Sequence, residues 1–260
     1  MTFITDQLEK KLKEIIYNAG DIALEERKKG LKLSTKFNGS IVSSGDINVS
    51  DYIYKNSTAW ELGFPIICEE KPYVDVSKSE YFWLIDPIDS TKSYVSNKNT
   101  FTVNIALIEN RKPRLGYVLQ PSENKLYYTG INNKAFIEKK FSILEINNYW
   151  LNNKIIIIGT SRINKFTSNF LNKVKFDQII FMPSSIKFCL IAEKLGNIYP
   201  KFYPTMEWDT AAGHAVVNLV GGKVIDMQGV ELQYGKKGFK NSFFVAHSKC
   251  INTELFVPEM

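Results

Sequence analysis

The chain has 260 residues, 44% of them hydrophobic and 23% charged, and carries a formal net charge of +6. This balance is typical of a folded globular protein and excludes an intrinsically disordered chain or one that lies mostly in a membrane. The lysines are scattered along the chain, which argues against a nucleic-acid duplex as partner and remains compatible with a small anionic substrate.

The first part of the chain is predicted to form a mainly antiparallel sheet flanked by helices. Apolar residues recur at helical spacing over residues 6–29, which predicts an amphipathic helix. A short strand over residues 31–37 follows, and then a polar turn that continues as a helix over residues 44–64. Alternating or continuous apolar runs predict further strands, two of them paired as a hairpin with residues 110–112 at its tip: 65–70, 81–86, 101–110, 113–121 and two within 124–138.

The polar segment 145–153 marks a change of composition, after which strands and helices alternate. Strand, loop and helix are predicted over residues 154–174 and again over 176–200, and a loop, helix and strand over 206–229. This alternation favours an α/β arrangement. We therefore predict an α/β protein with two halves, an N-terminal α+β half over residues 1–148 and a C-terminal α/β half over residues 149–260.

The cysteines and the N-terminal segment indicate the compartment. Cys68, Cys189 and Cys250 lie far apart and form no CxxC pair, so the sequence predicts neither a disulfide framework nor a zinc site. The first sixteen residues are charged and amphipathic and lack the apolar core of a secretory signal, and no apolar run is long enough to span a membrane. We expect a cytoplasmic protein.

Acidic side chains follow apolar elements at three places. Glu69 follows one strand, Asp86 and Asp89 stand on either side of Pro87-Ile88 after a second, and Asp209 precedes a helix. Proline disfavours helix at the residue before it, so we predict a turn at Asp86 that aims both carboxylates and the Ile88 carbonyl at one point. Oxygen ligands of this kind suit Mg²⁺. Each feature alone has an ordinary explanation, as a turn, a surface acid or a helix cap, so the metal interpretation depends on their occurring together.

Two long segments resemble signature sequences of one enzyme family. The segments are WLIDPIDSTKSY, with FTVNIALIE after it, and SSIKFCLIAEKLGNIYPKFYPTMEWDTAAGHAVV. They resemble the inositol monophosphatase superfamily and, within it, the bacterial 3′(2′),5′-bisphosphate nucleotidases, in order and rough spacing from Ile41 to Asp226. The resemblance implies a layered α/β/α/β/α sandwich and a phosphatase that depends on two or three Mg²⁺ ions and is inhibited by lithium.

The resemblance also implies the metal ligands. Glu69, Asp86 and the carbonyl oxygen of Ile88 correspond to ligands of a first magnesium ion. Asp86, Asp89 and Asp209 correspond to ligands of a second. Two ions that share Asp86 would clamp the phosphate and neutralise the leaving oxygen.

Catalytic and substrate-binding residues are implied in the same way. The hydroxyl of Thr91 is expected to orient the attacking water with Asp51 as its hydrogen-bond partner, and Glu69 completes the implied catalytic set. Backbone N–H groups of Ser90 and Thr91 are expected to hold phosphate oxygens. Three further residues correspond to positions near the nucleotide and its second phosphate, although the two lysines among them would equally suit a solvated surface: Ser184, Lys187 and Lys201.

Three positions depart from the nucleotidase pattern. Ser90 stands where those enzymes usually have glycine, which matters if the position needs a positive φ. Asn48 is aligned with a threonine of their Val-Thr-x-x-Asp segment. Lys201 replaces a frequent arginine and cannot form the same bidentate contact with a phosphate.

These residues support three hypotheses. The first is a phosphatase that removes the 3′-phosphate from adenosine 3′,5′-bisphosphate and releases AMP. The second is a phosphatase of the same superfamily that acts on inositol monophosphate or a sugar phosphate. The third is a non-catalytic scaffold with a degenerate phosphatase fold. Relatives of the implied type occur as monomers and as homodimers, and some associate with the inner membrane face, so the sequence leaves those properties open.

Overall fold

The computed structural model describes residues 3–36, 39–140, 142–147, 154–159 and 163–253. The predicted boundary between the two halves, at residues 148 and 149, lies outside these ranges. None of the helices within them combines the length and the apolar character needed to cross a lipid bilayer.

The helices and strands run in the following order along the chain: α1 Asp6–Lys29, β1 Leu33–Thr35, β2 Ile41–Ser43, α2 Ser44–Lys55, β3 Ile66–Cys68, β4 Tyr81–Asp89, α3 Thr91–Val95, β5 Thr102–Glu109, β6 Lys112–Gln120, β7 Lys125–Thr129, β8 Ala135–Lys139, β9 Ser142–Ile146, β10 Ile156–Gly159, α4 Lys165–Lys173, β11 Gln178–Phe181, α5 Ile186–Ala192, β12 Ile198–Lys201, α6 Ala211–Leu219, β13 Lys223–Asp226 and β14 Phe244–His247. The helix predicted over residues 6–29 is confirmed with the same bounds. The hairpin predicted around residues 110–112 is confirmed as β5 and β6. The helix predicted over residues 44–64 ends at Lys55, and β2, β9, β12 and β14 were not predicted.

The strands of the first half form a seven-stranded sheet in the order β3-β4-β5-β6-β7-β8-β9. β3 pairs with β4 in parallel and the other pairs are antiparallel. Successive side chains of β4 point to opposite faces of the sheet, as a pleated strand requires. Trp83 and Ile85 therefore pack against α1 and α2, and Phe82 and Leu84 pack on the other face with residues of α5 and α6.

The strands of the second half form a five-stranded mixed sheet in the order β11-β10-β12-β14-β13. One face, with Ile158 and Val224, packs on α5 and α6, and the opposite face, with Ile157 and Ile198, packs on Phe170 of α4. The layers thus alternate as helices α1 and α2, the seven-stranded sheet, helices α5 and α6, the five-stranded sheet and helix α4. This order is the predicted α/β/α/β/α sandwich.

Helix α6 lies very close to the seven-stranded sheet. A Cβ atom on Gly116 of β6 would lie 2.2 Å from the carbonyl oxygen of Ala212 and 2.7 Å from the Cβ of Ala215. Glycine and alanine at this crossing therefore let the helix rest on the strand. Thr210, the residue before α6, and Asp89, at the end of β4, line the same cavity, so the acidic segments of both halves meet there.

Candidate metal centre

A bulge in β4 shapes the first wall of the site. Asp86 pairs with Asn104 and Asp89 pairs with Thr102, so β4 has one more residue than β5 between these two pairs. The predicted turn at Asp86 is therefore wrong in form, because the strand continues to Asp89 and absorbs the extra residue as a β-bulge. The bulge still turns the local backbone, and the N–H of Ile88 donates to Asp86 Oδ1 at 3.1 Å.

Three carboxylates from different elements converge beside this bulge. One oxygen each of Glu69, Asp86 and Asp209 lies within 4.8 Å of the other two. Glu69 follows β3, and its N–H donates to the carbonyl of Ile85 at 3.2 Å, which fixes it beside β4. Asp209 lies in the turn before α6, where its Oδ2 accepts from the N–H of Met206 at 2.8 Å. Asp89 lies outside this group of three and lines the same cavity.

The carboxylates open into a cavity of about 700 Å³. The cavity is lined by ten of the eleven residues that the sequence predicted for the site: Glu69, Asp86, Ile88, Asp89, Ser90, Thr91, Ser184, Lys187, Lys201 and Asp209. The eleventh, Asp51, is not among the lining residues. Its side chain is 56% exposed and pairs with Lys71.

Burial and mutual repulsion disfavour the ionised form of these carboxylates when no cation is bound. Burial, followed by the charge of Asp89, raises the pKa of Asp209 to about 7. Asp86 is 1% exposed, and burial together with the charges of Glu69, Asp89 and Asp209 raises its pKa well above the usual range. Burial likewise raises the pKa of Glu69, with the neighbouring Lys36 opposing the shift. A bound divalent cation would reverse this balance, because it stabilises the ionised form of all three.

These shifts predict that magnesium stabilises the protein more at pH 8 than at pH 5. The folded-state pKa values lie above the unfolded ones, so in chelator this contribution to stability is fully present below about pH 4 and is lost as the pH rises through about 7. Bound magnesium prevents this loss of stability, because it stabilises the ionised carboxylates. The stabilisation by magnesium should therefore be larger at pH 8 than at pH 5 by on the order of 2 kcal/mol, which corresponds to an additional rise in melting temperature of roughly 4 to 8 °C. Equal rises at both pH values in differential scanning calorimetry would contradict the assignment.

A lysine that the sequence analysis did not single out neutralises one side of the site. Lys36 Nζ lies 2.8 Å from Glu69 Oε1 and 2.5 Å from Glu70 Oε1. Lys36 follows β1, and its backbone N–H donates to the carbonyl of Ser40 at 2.8 Å, so it lies at the base of the turn joining β1 and β2. The ion pairs tie this turn to the acidic residues after β3.

Asp89 is held by residues from both halves of the chain. Its Oδ2 accepts from the N–H of Ser185 at 2.5 Å and from the Ser185 hydroxyl at 2.7 Å. Asn104 Nδ2 and Thr102 Oγ1 lie farther away, at 3.4 and 3.5 Å. Ser185 was not predicted as a site residue. Ser185 lies in the second signature segment, next to Ser184, but the segment does not reveal its partner, which lies 96 positions away in the sequence.

The hydrogen-bond partner of Thr91 is Asp46, and the prediction of Asp51 is wrong. Thr91 Oγ1 lies 3.0 Å from Asp46 Oδ1 and 3.3 Å from the carbonyl oxygen of Ile88. Asp46 is 2% exposed and lies in the first turn of α2. Asn48 is exposed, so the presence of asparagine at this position does not alter the contacts of the site.

A local signal in the sequence could have identified Asp46. Ser43 and Asp46 form a capping box at the start of α2, in which the N–H of Ser43 donates to Asp46 Oδ2 at 2.8 Å and the N–H of Asp46 donates to Ser43 Oγ at 3.4 Å. A hydroxyl residue followed three positions later by an acid, before an apolar stretch, is the usual sequence pattern of such a cap. The polar turn predicted at residue 44 is the beginning of the helix itself.

Ser90 has the positive φ that the sequence analysis considered, with φ 73° and ψ 56°. Its hydroxyl donates to Ser93 Oγ at 3.0 Å. A left-handed conformation costs about 1–2 kcal/mol for a residue with a Cβ and little for glycine. Ser90 therefore supports the turn between β4 and α3 at a cost in backbone strain.

We expect Ser90→Gly to be more stable than Ser90→Ala by about 1 kcal/mol, or roughly 2–4 °C in melting temperature. Both variants lose the hydroxyl and its bond to Ser93, so the comparison isolates the Cβ strain at φ 73°. Thermal unfolding of the two variants side by side checks it. An alanine variant as stable as the glycine variant would mean that the backbone relaxes out of the left-handed region.

Two lysines also line the cavity. Lys187 is 4% exposed, and its Nζ donates to the carbonyl of Ser184 at 2.5 Å and lies 5.0 Å from the centre of the Tyr199 ring. Burial lowers its pKa to about 7, opposed by the charge of Asp89. Lys201 ends β12 and lines the same cavity. Both lysines thus face the site, and the simple surface interpretation of Lys187 is wrong.

The donor set fits magnesium. Hard divalent cations prefer carboxylate and carbonyl oxygens, and three carboxylates that raise one another's pKa values form a site that a cation stabilises. The described residues near the trio offer no imidazole or thiolate ligand to it, which disfavours zinc. The site therefore has the chemistry of a magnesium centre in a cavity that two lysines also line.

Sequence and structure comparisons identify similar proteins. The sequence profile of the inositol monophosphatase family matches residues 5–255. The 3′(2′),5′-bisphosphate nucleotidase CysQ of Buchnera aphidicola is 38% identical over 229 residues, with 86% of each chain covered. CysQ of Salmonella typhimurium is 33% identical and covers 89% of this chain and 96% of its own. The crystal structure of CysQ from Bacteroides thetaiotaomicron superposes with a TM-score of 0.77 at 25% identity, over 91% of this chain and 95% of that one.

Proposed function

The chain belongs to the inositol monophosphatase family, and we propose that it is a magnesium-dependent phosphatase that converts adenosine 3′,5′-bisphosphate to AMP and phosphate. The observation that carries the proposal is the cavity of about 700 Å³ that joins the carboxylate trio to Lys187 and Lys201. A cavity of this size accommodates a nucleotide. Nucleotidases named for this substrate class at 33% and 38% identity support the same choice.

We assign the first magnesium ion to Glu69, Asp86 and the Ile88 carbonyl, and the second to Asp86, Asp89 and Asp209. When bound, the ions neutralise the phosphate charge and raise the acidity of water. The protein contributes the placement of oxygen ligands on a bulged strand, after a second strand and before a helix. Such positioning is the main contribution of protein groups to phosphate transfer.

Thr91 and Asp46 are proposed to handle the proton of the attacking water. The Thr91 hydroxyl donates to Asp46 Oδ1, and its remaining lone pair can accept from a water in the cavity. As that water loses its proton to Thr91 Oγ1, the threonine proton can move to Asp46, whose pKa is already raised, chiefly by burial. The hydrogen bonds from Ser43 hold Asp46 Oδ2, so Oδ1 stays directed at the threonine.

The second phosphate of the substrate is assigned to Ser184, Lys187 and Lys201, which line the same cavity. A phosphate bound there would favour the charged form of Lys187, whose pKa burial lowers to about 7. A substrate with one phosphate at the carboxylates and another at the lysines therefore complements both groups of charges. Inositol 1-phosphate and AMP each lack one of these two phosphates.

The test is phosphate release from adenosine 3′,5′-bisphosphate, measured beside inositol 1-phosphate, fructose 1,6-bisphosphate and AMP. We expect release from the nucleotide bisphosphate with magnesium, its loss in chelator and its inhibition by lithium. Release from inositol 1-phosphate alone would retain the metal chemistry and reject the assignment of Lys187 and Lys201. No release from any substrate would favour a scaffold and reject the proposal.

A further inference from the structure

Ser185 lies against two of the three acidic residues assigned to the second metal ion, Asp89 and Asp209. Its hydroxyl oxygen lies 2.7 Å from Asp89 Oδ2 and 2.9 Å from the carbonyl oxygen of Asp209. Its N–H donates to the same Asp89 oxygen at 2.5 Å. Asp89 ends a strand of the first sheet, Asp209 precedes α6, and Ser185 lies between β11 and α5. One serine therefore joins a carboxylate of the N-terminal half to the backbone of a carboxylate residue in the C-terminal half.

The hydrogen-bond network around Ser185 has a defined direction. Asn104 Nδ2 donates to Ser185 Oγ at 2.9 Å. The serine hydroxyl has one proton, which it must therefore direct to the Asp89 carboxylate or to the Asp209 carbonyl. The bond to the carboxylate is shorter, as a bond to a charged acceptor should be. Ser185 is 1% exposed and Asn104 is 1% exposed, so water does not compete for these contacts.

The same contacts leave one oxygen of Asp89 for a metal ion. Every hydrogen bond to the Asp89 side chain within the described part of the chain goes to Oδ2. Holding one carboxylate oxygen from behind fixes the direction of the other, as partners of metal ligands commonly do. The carbonyl oxygen of Asp209 lies 2.9 Å from the same hydroxyl oxygen, so the serine keeps the Asp209 backbone beside Asp89 by contact and not by a second hydrogen bond.

We propose that Ser185 is a positioning residue that sets the separation of Asp89 and Asp209 and thereby forms the second metal site, with Asn104 orienting its hydroxyl. This inference rests on the metal assignment made under the proposed function. It makes the second site depend on contact between the two halves of the chain. The first ion, at Glu69, Asp86 and Ile88, depends on residues of the N-terminal half alone.

The test is Mn²⁺ binding, counted by electron paramagnetic resonance and by calorimetry on the full chain without substrate. Mn²⁺ prefers the same oxygen ligands as Mg²⁺ and reports binding without catalysis. We expect the wild-type protein to bind two ions and Ser185→Ala to weaken the weaker site by about tenfold to a hundredfold, with the tighter site unchanged. Asn104→Ala should weaken the same site by a smaller factor.

Ser248→Ala is the matched control. Ser248 is fully buried in the C-terminal half, like Ser185, but its hydroxyl lies 3.0 Å from the sulfur of Cys250 instead of a carboxylate. It should lose stability to a similar extent and keep both metal affinities. Unchanged affinities in Ser185→Ala, equal weakening of both sites, or the same weakening in Ser248→Ala would each overturn the proposal.

The outcome separates this inference from the proposed function. Two Mn²⁺ sites with a selective loss in Ser185→Ala would support the role of Ser185 even if the protein hydrolyses no nucleotide. A wild-type protein that binds one ion or none would overturn the inference, because no second site would exist for Ser185 to form. Nucleotide hydrolysis with unchanged metal binding in Ser185→Ala would retain the function and reject the role of Ser185.

Discussion

Replacement of Asp86 by asparagine should lower the rate of phosphate release by about a thousandfold or more and should raise the melting temperature of the metal-free protein. The two effects are opposite in sign because the same carboxylate is assigned to both metal ions and is unfavourable without them. Loss of metal-assisted charge stabilisation is worth several kcal/mol, and each 1.36 kcal/mol corresponds to a factor of ten in rate.

The stability effect follows from burial and charge. Asp86 is 1% exposed and lies among Glu69, Asp89 and Asp209, and these groups raise its pKa well above the usual range. An amide has almost the same shape and removes one negative charge from the cluster. Its oxygen can still accept from the N–H of Ile88, as Asp86 Oδ1 does at 3.1 Å. The expected gain in chelator at pH 8 is on the order of 1 kcal/mol, roughly 2–4 °C.

Initial rates and thermal unfolding, each with and without magnesium, test this expectation. Asp75→Asn is the matched control, because Asp75 is an exposed carboxylate that bonds to Ser77 outside the cavity, and the change should leave the rate unaltered. Magnesium should raise the melting temperature of the control and have little effect on Asp86→Asn. An Asp86→Asn protein with a tenth or more of the wild-type rate would remove Asp86 from the metal centre.

The parts of the site carried by long, continuous motifs could be predicted from the sequence. Glu69, Asp86, Asp89 and Asp209 were located from their positions at the ends of apolar elements and from their resemblance to family signatures, and all four line one cavity. The β-bulge was not predicted, because proline between two acids is compatible with either a turn or a strand that absorbs one extra residue.

The contacts that depend on tertiary structure could not be predicted. Asn104 reaches Asp89 through the pairing of β5 with the bulged end of β4, whereas only the packing of the two halves brings Ser185 to Asp89. Lys36 follows β1, and its ion pair with Glu69 depends on where β1 and β2 lie relative to β3. Pairings of this kind are set by the fold as a whole, so no local pattern records them.

The largest error of the sequence-based prediction was the choice of Asp51, five residues after Asp46, as the hydrogen-bond partner of Thr91. The Val-Thr-x-x-Asp pattern was placed on Asn48 and Asp51, although Val42, Ser43 and Asp46 fit it better, with a hydroxyl residue three positions before the acid. Geometry distinguishes them clearly: Asp46 is 2% exposed and bonded to Thr91, whereas the side chain of Asp51 is 56% exposed and pairs with Lys71.

This difference predicts a large effect for Asp46→Asn and almost none for Asp51→Asn. Proton transfer by a positioned side chain typically contributes a factor of 10²–10⁴ to a rate, so Asp46→Asn should lower kcat by about a hundredfold or more with little change in KM. The asparagine oxygen can still accept from the N–H of Ser43 and keep the helix cap, which then turns the amide N–H₂ toward Thr91. The Thr91 hydroxyl would accept a hydrogen bond where it now donates one, and it could no longer pass on a proton.

Steady-state kinetics of the two asparagine variants, with thermal unfolding as a check on the cap, give the comparison. Asp51→Asn should keep kcat within about twofold, because exposed ion pairs contribute little and Asp51 does not line the cavity. Mn²⁺ binding should be normal in both variants, since neither residue is assigned to a metal ion. A large loss of kcat in Asp51→Asn with a normal rate in Asp46→Asn would restore the original pairing and reject the Thr91–Asp46 proton path.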